Sequence, residues 1–131
     1  MTLVEEIPLT NGLTAEVWDN SRPIAQDTTK VELLVQVRIE LKPSYFIKPE
    51  HFEIVRKIMG QEVIFEYKNE RTFVNNKEKE SVFQQLKDTF HKDSLPYISK
   101  TTFPKKFALS KYWDIEKNRY KFISFLDEKP S

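Results

Sequence analysis

The sequence contains no cysteine, and that absence alone removes disulfides, Cys-ligated zinc, iron–sulfur clusters and thiol catalysis. Glycine is almost as scarce, with two in 131 residues. Glycine-rich phosphate loops and dinucleotide fingerprints are excluded with it, because their backbone must approach a phosphate closely. Histidine, the usual general acid–base, occurs twice, as His51 and His91, in neither an HExxH nor a His-x-His arrangement. The serines form no Gly-x-Ser-x-Gly elbow and no Ser-x-x-Lys spacing. No apolar run approaches the roughly 18 residues of a membrane span. The N-terminal MTLVEEIPLTNG carries acids where a signal peptide carries bases, so the expectation is a cytoplasmic chain with no membrane partner.

What is present is core material and charge. Apolar residues make up 39% and charged residues 31%, a balance that fits a solvated surface around a packed interior. The size predicts a single domain over 1–131. The net charge of +1 hides an asymmetry: residues 1–29 hold five acids against Arg22, while 99–121 hold seven bases against Asp114 and Glu116. Two solvated faces of one domain account for it, and any polyanion would meet the C-terminal third.

The organising stretch is Lys30–Leu41, KVELLVQVRIEL. Val31, Leu33, Val35, Val37, Ile39 and Leu41 occupy every second position, the signature of a strand with one face buried. It is expected to be central in its sheet. Upstream, residues 3–9 and 13–18 read as a hairpin. A two-residue Asn11-Gly12 loop would mix apolar with charged residues on both faces. A three-residue loop, Thr10-Asn11-Gly12, with Gly12 left-handed in a G1 bulge, instead pairs Leu9 with Leu13 and Ile7 with Ala15. Leu3, Ile7, Leu9, Leu13, Ala15 and Val17 then share a face, with Glu5 the exception. Pro8 lacks an N–H, which marks the first strand as an edge. Asp19–Thr29, polar and proline-containing, reads as a loop.

After Lys42-Pro43, Pro49 opens a helix over PEHFEIVRKIM, with early acids and late bases as the dipole prefers and Gly60 as its stop. Glu62–Tyr67 alternates again. Lys68–Arg71 reads as a turn into a short strand, Thr72–Val74, and Asn75 or Asn76 caps a helix running to about Phe90. Pro104 starts a further helical pattern, although residues 104–126 fit a strand with a basic face about as well. The order βββ-α-ββ-α with a mixed tail predicts an α+β fold: one antiparallel sheet of about five strands with two or three helices on one face. Its core is expected to include Val31, Val35, Val37, Ile39, Phe52, Val55, Phe65, Phe83 and Leu86.

No catalytic grouping stands above a surface explanation, so a non-catalytic binding or assembly module is favoured over an enzyme. The enzyme alternative would need His51 or His91 beside carboxylates. No cofactor or metal is implied. For a protein partner or a second copy, the contact residues expected are Trp18, Asp19, Arg22 and Leu34, on the 19–29 segment and the sheet face bearing Trp18. For single-stranded nucleic acid they are Lys105, Lys106, Trp113, Lys117, Arg119, Tyr120 and Lys121, where cations would neutralise phosphates and rings stack on bases. The familiar aromatic and GXXG motifs of RNA-binding domains are missing.

Overall fold

A computed structural model describes residues 1–122. Five strands form one antiparallel sheet: β1 (Thr2–Pro8), β2 (Thr14–Asp19), β3 (Arg22–Ala25), β4 (Thr28–Glu40) and β5 (Glu62–Asn75). The helices are α1 (Pro49–Met59), α2 (Lys79–Asp93), the single turn α3 (Leu95–Ile98) and α4 (Phe103–Lys117), with 3-10 turns at Pro43–Tyr45 and Arg119–Lys121. The α+β class read from the sequence is the class observed. The chain divides into two compact units, Met1–Val37 with Phe65–Lys100, and Arg38–Ile64 with the chain from Thr101 onward. β4 and β5 run from one unit into the other.

In the first unit the alternation of β4 does what its pattern demands. Val31, Leu33, Val35 and Val37 are buried, and Ala15 and Val17 of β2 stand directly opposite Val37 and Val35. Cross-strand partners share a face, so these residues form one apolar layer. The hairpin β1–β2 adopts the three-residue loop: Ile7 pairs with Ala15, the Leu9 N–H bonds the Leu13 carbonyl at 2.8 Å, and Gly12 has φ +90. Asn11 secures this loop twice over. Its Oδ1 accepts the Leu13 N–H, and its Nδ2 donates to the carbonyls of Ile98 and Lys100 at 2.8 and 2.9 Å, satisfying the end of α3. α2 lies against the apolar layer. Phe90, fully buried, meets the Tyr67 ring at 5.2 Å between centroids, and Lys87 reaches Glu5 at 3.1 Å. That ion pair explains how Glu5 occupies an otherwise apolar face.

Three readings of this unit are corrected. Leu3 does not share the face of Ile7, because a bulge at Val4 shifts the register and sets Leu3 opposite Trp18. Asp19–Thr29 is not a loop. Asp19 ends β2, β3 resumes at Arg22 in the same register against β4 (Asp19 opposite Leu33, Arg22 opposite Lys30), and Gln26-Asp27 turns the chain. The polar composition that suggested a loop belongs to a strand interrupted at Asn20-Ser21. Lys68–Arg71 is not a turn either, since β5 is continuous from Glu62 to Asn75. Its charged run is what an exposed edge strand carries.

In the second unit Pro49 occupies the first turn of α1, and Gly60 ends it with φ +89, a conformation that favours glycine. Residues 104–117 are helix, so the strand alternative fails there, with 123–126 lying outside the described residues. Phe103, Ala108, Tyr112 and Ile115 recur at helical spacing and are buried, as are Val55, Ile39, Leu41 and Val63. Of the expected core residues, Phe52, Phe65 and Phe83 are half-buried and the rest are buried.

Candidate functional site

The sheet face opposite the apolar layer is built from the even-numbered residues of β2 and β4. Trp18 stands opposite Leu34 on one side and Leu3 on the other, so the indole lies between two leucines. Leu34, in the central strand, is only 8% exposed and therefore supports the face rather than offering contact. Leu3 (39% exposed) is the accessible apolar group of this row, with Trp18 half-buried beside it, and the adjoining bulge residue Val4 is 45% exposed. The next row is acidic: Glu6 opposite Glu16, Glu16 opposite Gln36, and the Gln36 amide donating to Glu66 Oε2 at 2.9 Å.

Asp19 and Arg22 are not gathered around Trp18. The Asp19 carboxylate accepts the Ser21 N–H at 3.0 Å, and Ser21 Oγ accepts the Glu32 N–H at 3.0 Å. These bonds stitch the break between β2 and β3. Arg22 is exposed on β3. Glu32, 3% exposed, accepts from the Asn20 amide, and Lys30 lies 3.1 Å from Glu70. The Lys30 ammonium holds the Glu70 carboxyl below its ordinary range. This cluster is satisfied internally. A depression lined by Asp19, Ser21, Thr29, Asn76, Lys79 and Glu80 is similar, since Thr29 Oγ1 already donates to Asn76 Oδ1 at 2.6 Å.

On α4, Lys106, Trp113 and Lys117 fall on one stripe, because positions seven and eleven apart return to nearly the same angle at about 100° per residue. All three are exposed, Trp113 at 53%. Lys105, also exposed, lies about a quarter turn away. Arg119, Tyr120 and Lys121 continue the chain in the 3-10 turn, exposed, with Arg119 held at 2.8 Å by Glu116. The helix thus brings together three of the seven residues expected to meet nucleic acid.

His51 is stacked on Tyr112, with ring centroids 4.0 Å apart. Tyr112 Oη donates to Glu116 Oε1 at 3.2 Å, and burial together with that carboxylate pushes the phenol's pKa up. His91 packs edge-on against Phe90. Among the described residues no group of three His, Asp or Glu side chains is placed to hold a metal, and no helix is long and apolar enough to cross a membrane.

Sequence reasoning missed Leu3 as an accessible part of the patch, since a bulge in a weakly alternating edge strand leaves no composition signal. No protein-family model, no curated protein and no solved structure matches this chain.

Proposed function

We propose that this protein is a non-catalytic binding module whose contact surface is the face carrying Leu3 and Trp18, next to the exposed bulge residue Val4. The observation that carries the reading is an accessible apolar cluster bordered by the exposed carboxylates of Glu6 and Glu66. Its complement is an extended or helical segment of another protein with an apolar centre and flanking lysines or arginines. Apolar contact supplies affinity and the acidic border orients the segment. A synthetic peptide alternating leucine and lysine serves as probe, read through Trp18 fluorescence in a Trp113→Phe background. Saturable binding that weakens with salt and disappears in Leu3→Asp is the expected outcome. No saturable change, or binding indifferent to Leu3→Asp, refutes the assignment.

A second reading, weak binding of single-stranded nucleic acid, is favoured by the exposed stripe Lys106–Trp113–Lys117. Affinity for an oligonucleotide is then expected to fall with salt, with a log–log slope growing by about 0.7 per phosphate neutralised. Lys106→Ala and Lys117→Ala lower affinity and slope together, whereas Trp113→Ala lowers affinity alone, because stacking releases no counterions. A fluorescence titration at low salt with no binding at high micromolar protein excludes it.

A further inference from the structure

We infer that β5 is a dimerisation edge: it pairs antiparallel with β5 of a second copy of this chain, two-fold symmetric about Tyr67. The inference stands on a sheet edge rather than on the apolar cluster of the binding face above, with which it shares only Glu66. Among the described residues β5 pairs only with β4, which leaves its outer side as a sheet edge. The two edges of the sheet are built differently. β1 is seven residues long, contains Pro8 and is broken by the bulge at Val4, all devices that discourage strand addition. β5 is fourteen residues long, has no proline, and carries a positive φ, +56, at Phe73 near its C-terminal end.

The register follows from backbone direction. The Gln61 carbonyl accepts the Leu41 N–H at 2.9 Å, so odd-numbered residues of β5 turn their backbone groups towards β4 and even-numbered residues turn theirs outward. Outward groups must meet outward groups, so even residues pair with even residues, and a two-fold axis passes through a single residue. An axis at Glu66 or Lys68 would set that charge against itself, the second also opposing Glu66 to Glu70. An axis at Tyr67 sets Glu66 of each copy opposite Lys68 of the other, twice over. Both residues are exposed on one face of the strand. The flanking pairs, Ile64 with Glu70 and Glu62 with Thr72, oppose no like charges. Axes at Phe65 or Asn69 give shorter ladders and draw on Glu62 or Glu70, which Arg38 and Lys30 already hold at 3.1 Å. Eleven paired residues per copy supply on the order of a dozen backbone hydrogen bonds. Opposite charges on directly facing residues favour this register over its neighbours.

Sedimentation equilibrium on the intact protein tests the inference, with twice the 15.6 kDa chain mass expected at high micromolar concentration. Lys68→Glu is expected to shift the population to monomer, and the double variant Glu66→Lys/Lys68→Glu, which restores opposite charges across the axis, to recover the dimer. Glu66→Pro removes an outward N–H that β4 does not use, so it should give a folded monomer by circular dichroism. Because the chain has no native cysteine, Tyr67→Cys provides a direct reading of the axis. Residues facing across a non-hydrogen-bonded pair come within about 4.5 Å at Cα, close enough for a disulfide. A cross-linked dimer under mild oxidation is expected, with Glu6→Cys on β1 as the unreactive control. A monomeric wild type overturns the inference. So does a dimer that survives Lys68→Glu, or a swapped variant that stays monomeric while folded.

Discussion

Phe73 is the one non-glycine residue among those described with a positive φ, at +56, and its ring is 73% exposed. An L-residue in the left-handed region costs about 1–2 kcal/mol from crowding between Cβ and the following carbonyl. Asparagine tolerates that region better, because its short side chain can bond the local backbone. Phe73→Asn is therefore expected to stabilise the protein by about 1 kcal/mol, seen as a higher urea midpoint at unchanged slope. A lowered midpoint would mean that the ring makes contacts worth more than the strain. Strain kept at an exposed aromatic is the kind of outlier found where a residue is held for a task.

At the scale of elements, α1 and α4 meet through the His51–Tyr112 stack, and the buried phenol makes their stability depend on alkali. The raised pKa of Tyr112 means that the folded state holds the proton more tightly than the unfolded chain, whose value is near the ordinary 10.0. The associated stability is fully present below that value and is lost as pH rises through the folded one. The stability difference between wild type and Tyr112→Phe should accordingly be constant at neutral pH and shrink above about pH 10. Urea unfolding across that range measures it; a difference that grows with pH would contradict the assignment. The arm β2–β3 makes the complementary point. Its middle is polar because Asp19, Asn20 and Ser21 spend their side chains bonding each other's backbone and Glu32, so a strand acquired the composition of a loop.

For the whole molecule, β4 is the strand on which everything else depends. It pairs with β2, β3 and β5, and it passes through both compact units. Val37 is fully buried at the end of the first unit. Val37→Asp would bury an unpaired carboxylate at a cost of several kcal/mol, comparable with the stability of a typical domain. Loss of the cooperative thermal transition is expected, whereas Glu40→Ala, exposed on the same strand, should leave it nearly unchanged. An unaltered melt for Val37→Asp would remove β4 from the core.

The sequence alone determined what repeats locally. The two-residue period of Lys30–Leu41, the helical stripe of α1, the hairpin register around Gly12 and the stop at Gly60 all depend on neighbours a few residues away. Their physics is written in composition and spacing. The candidate binding surface was legible to the extent that Trp18 belongs to it. Tertiary structure alone decided that Leu34 is covered while Leu3 is not, because one bulge at Val4 moves a side chain across the sheet without changing any pattern. It alone decided that Arg22–Ala25, within the polar 19–29 segment, and Lys68–Arg71 are strand, since polar residues become extended when a neighbouring strand takes their backbone hydrogen bonds. It also separated Lys106, Trp113 and Lys117 from the other basic residues, because a list of positions becomes a surface only once the helix sets their angles.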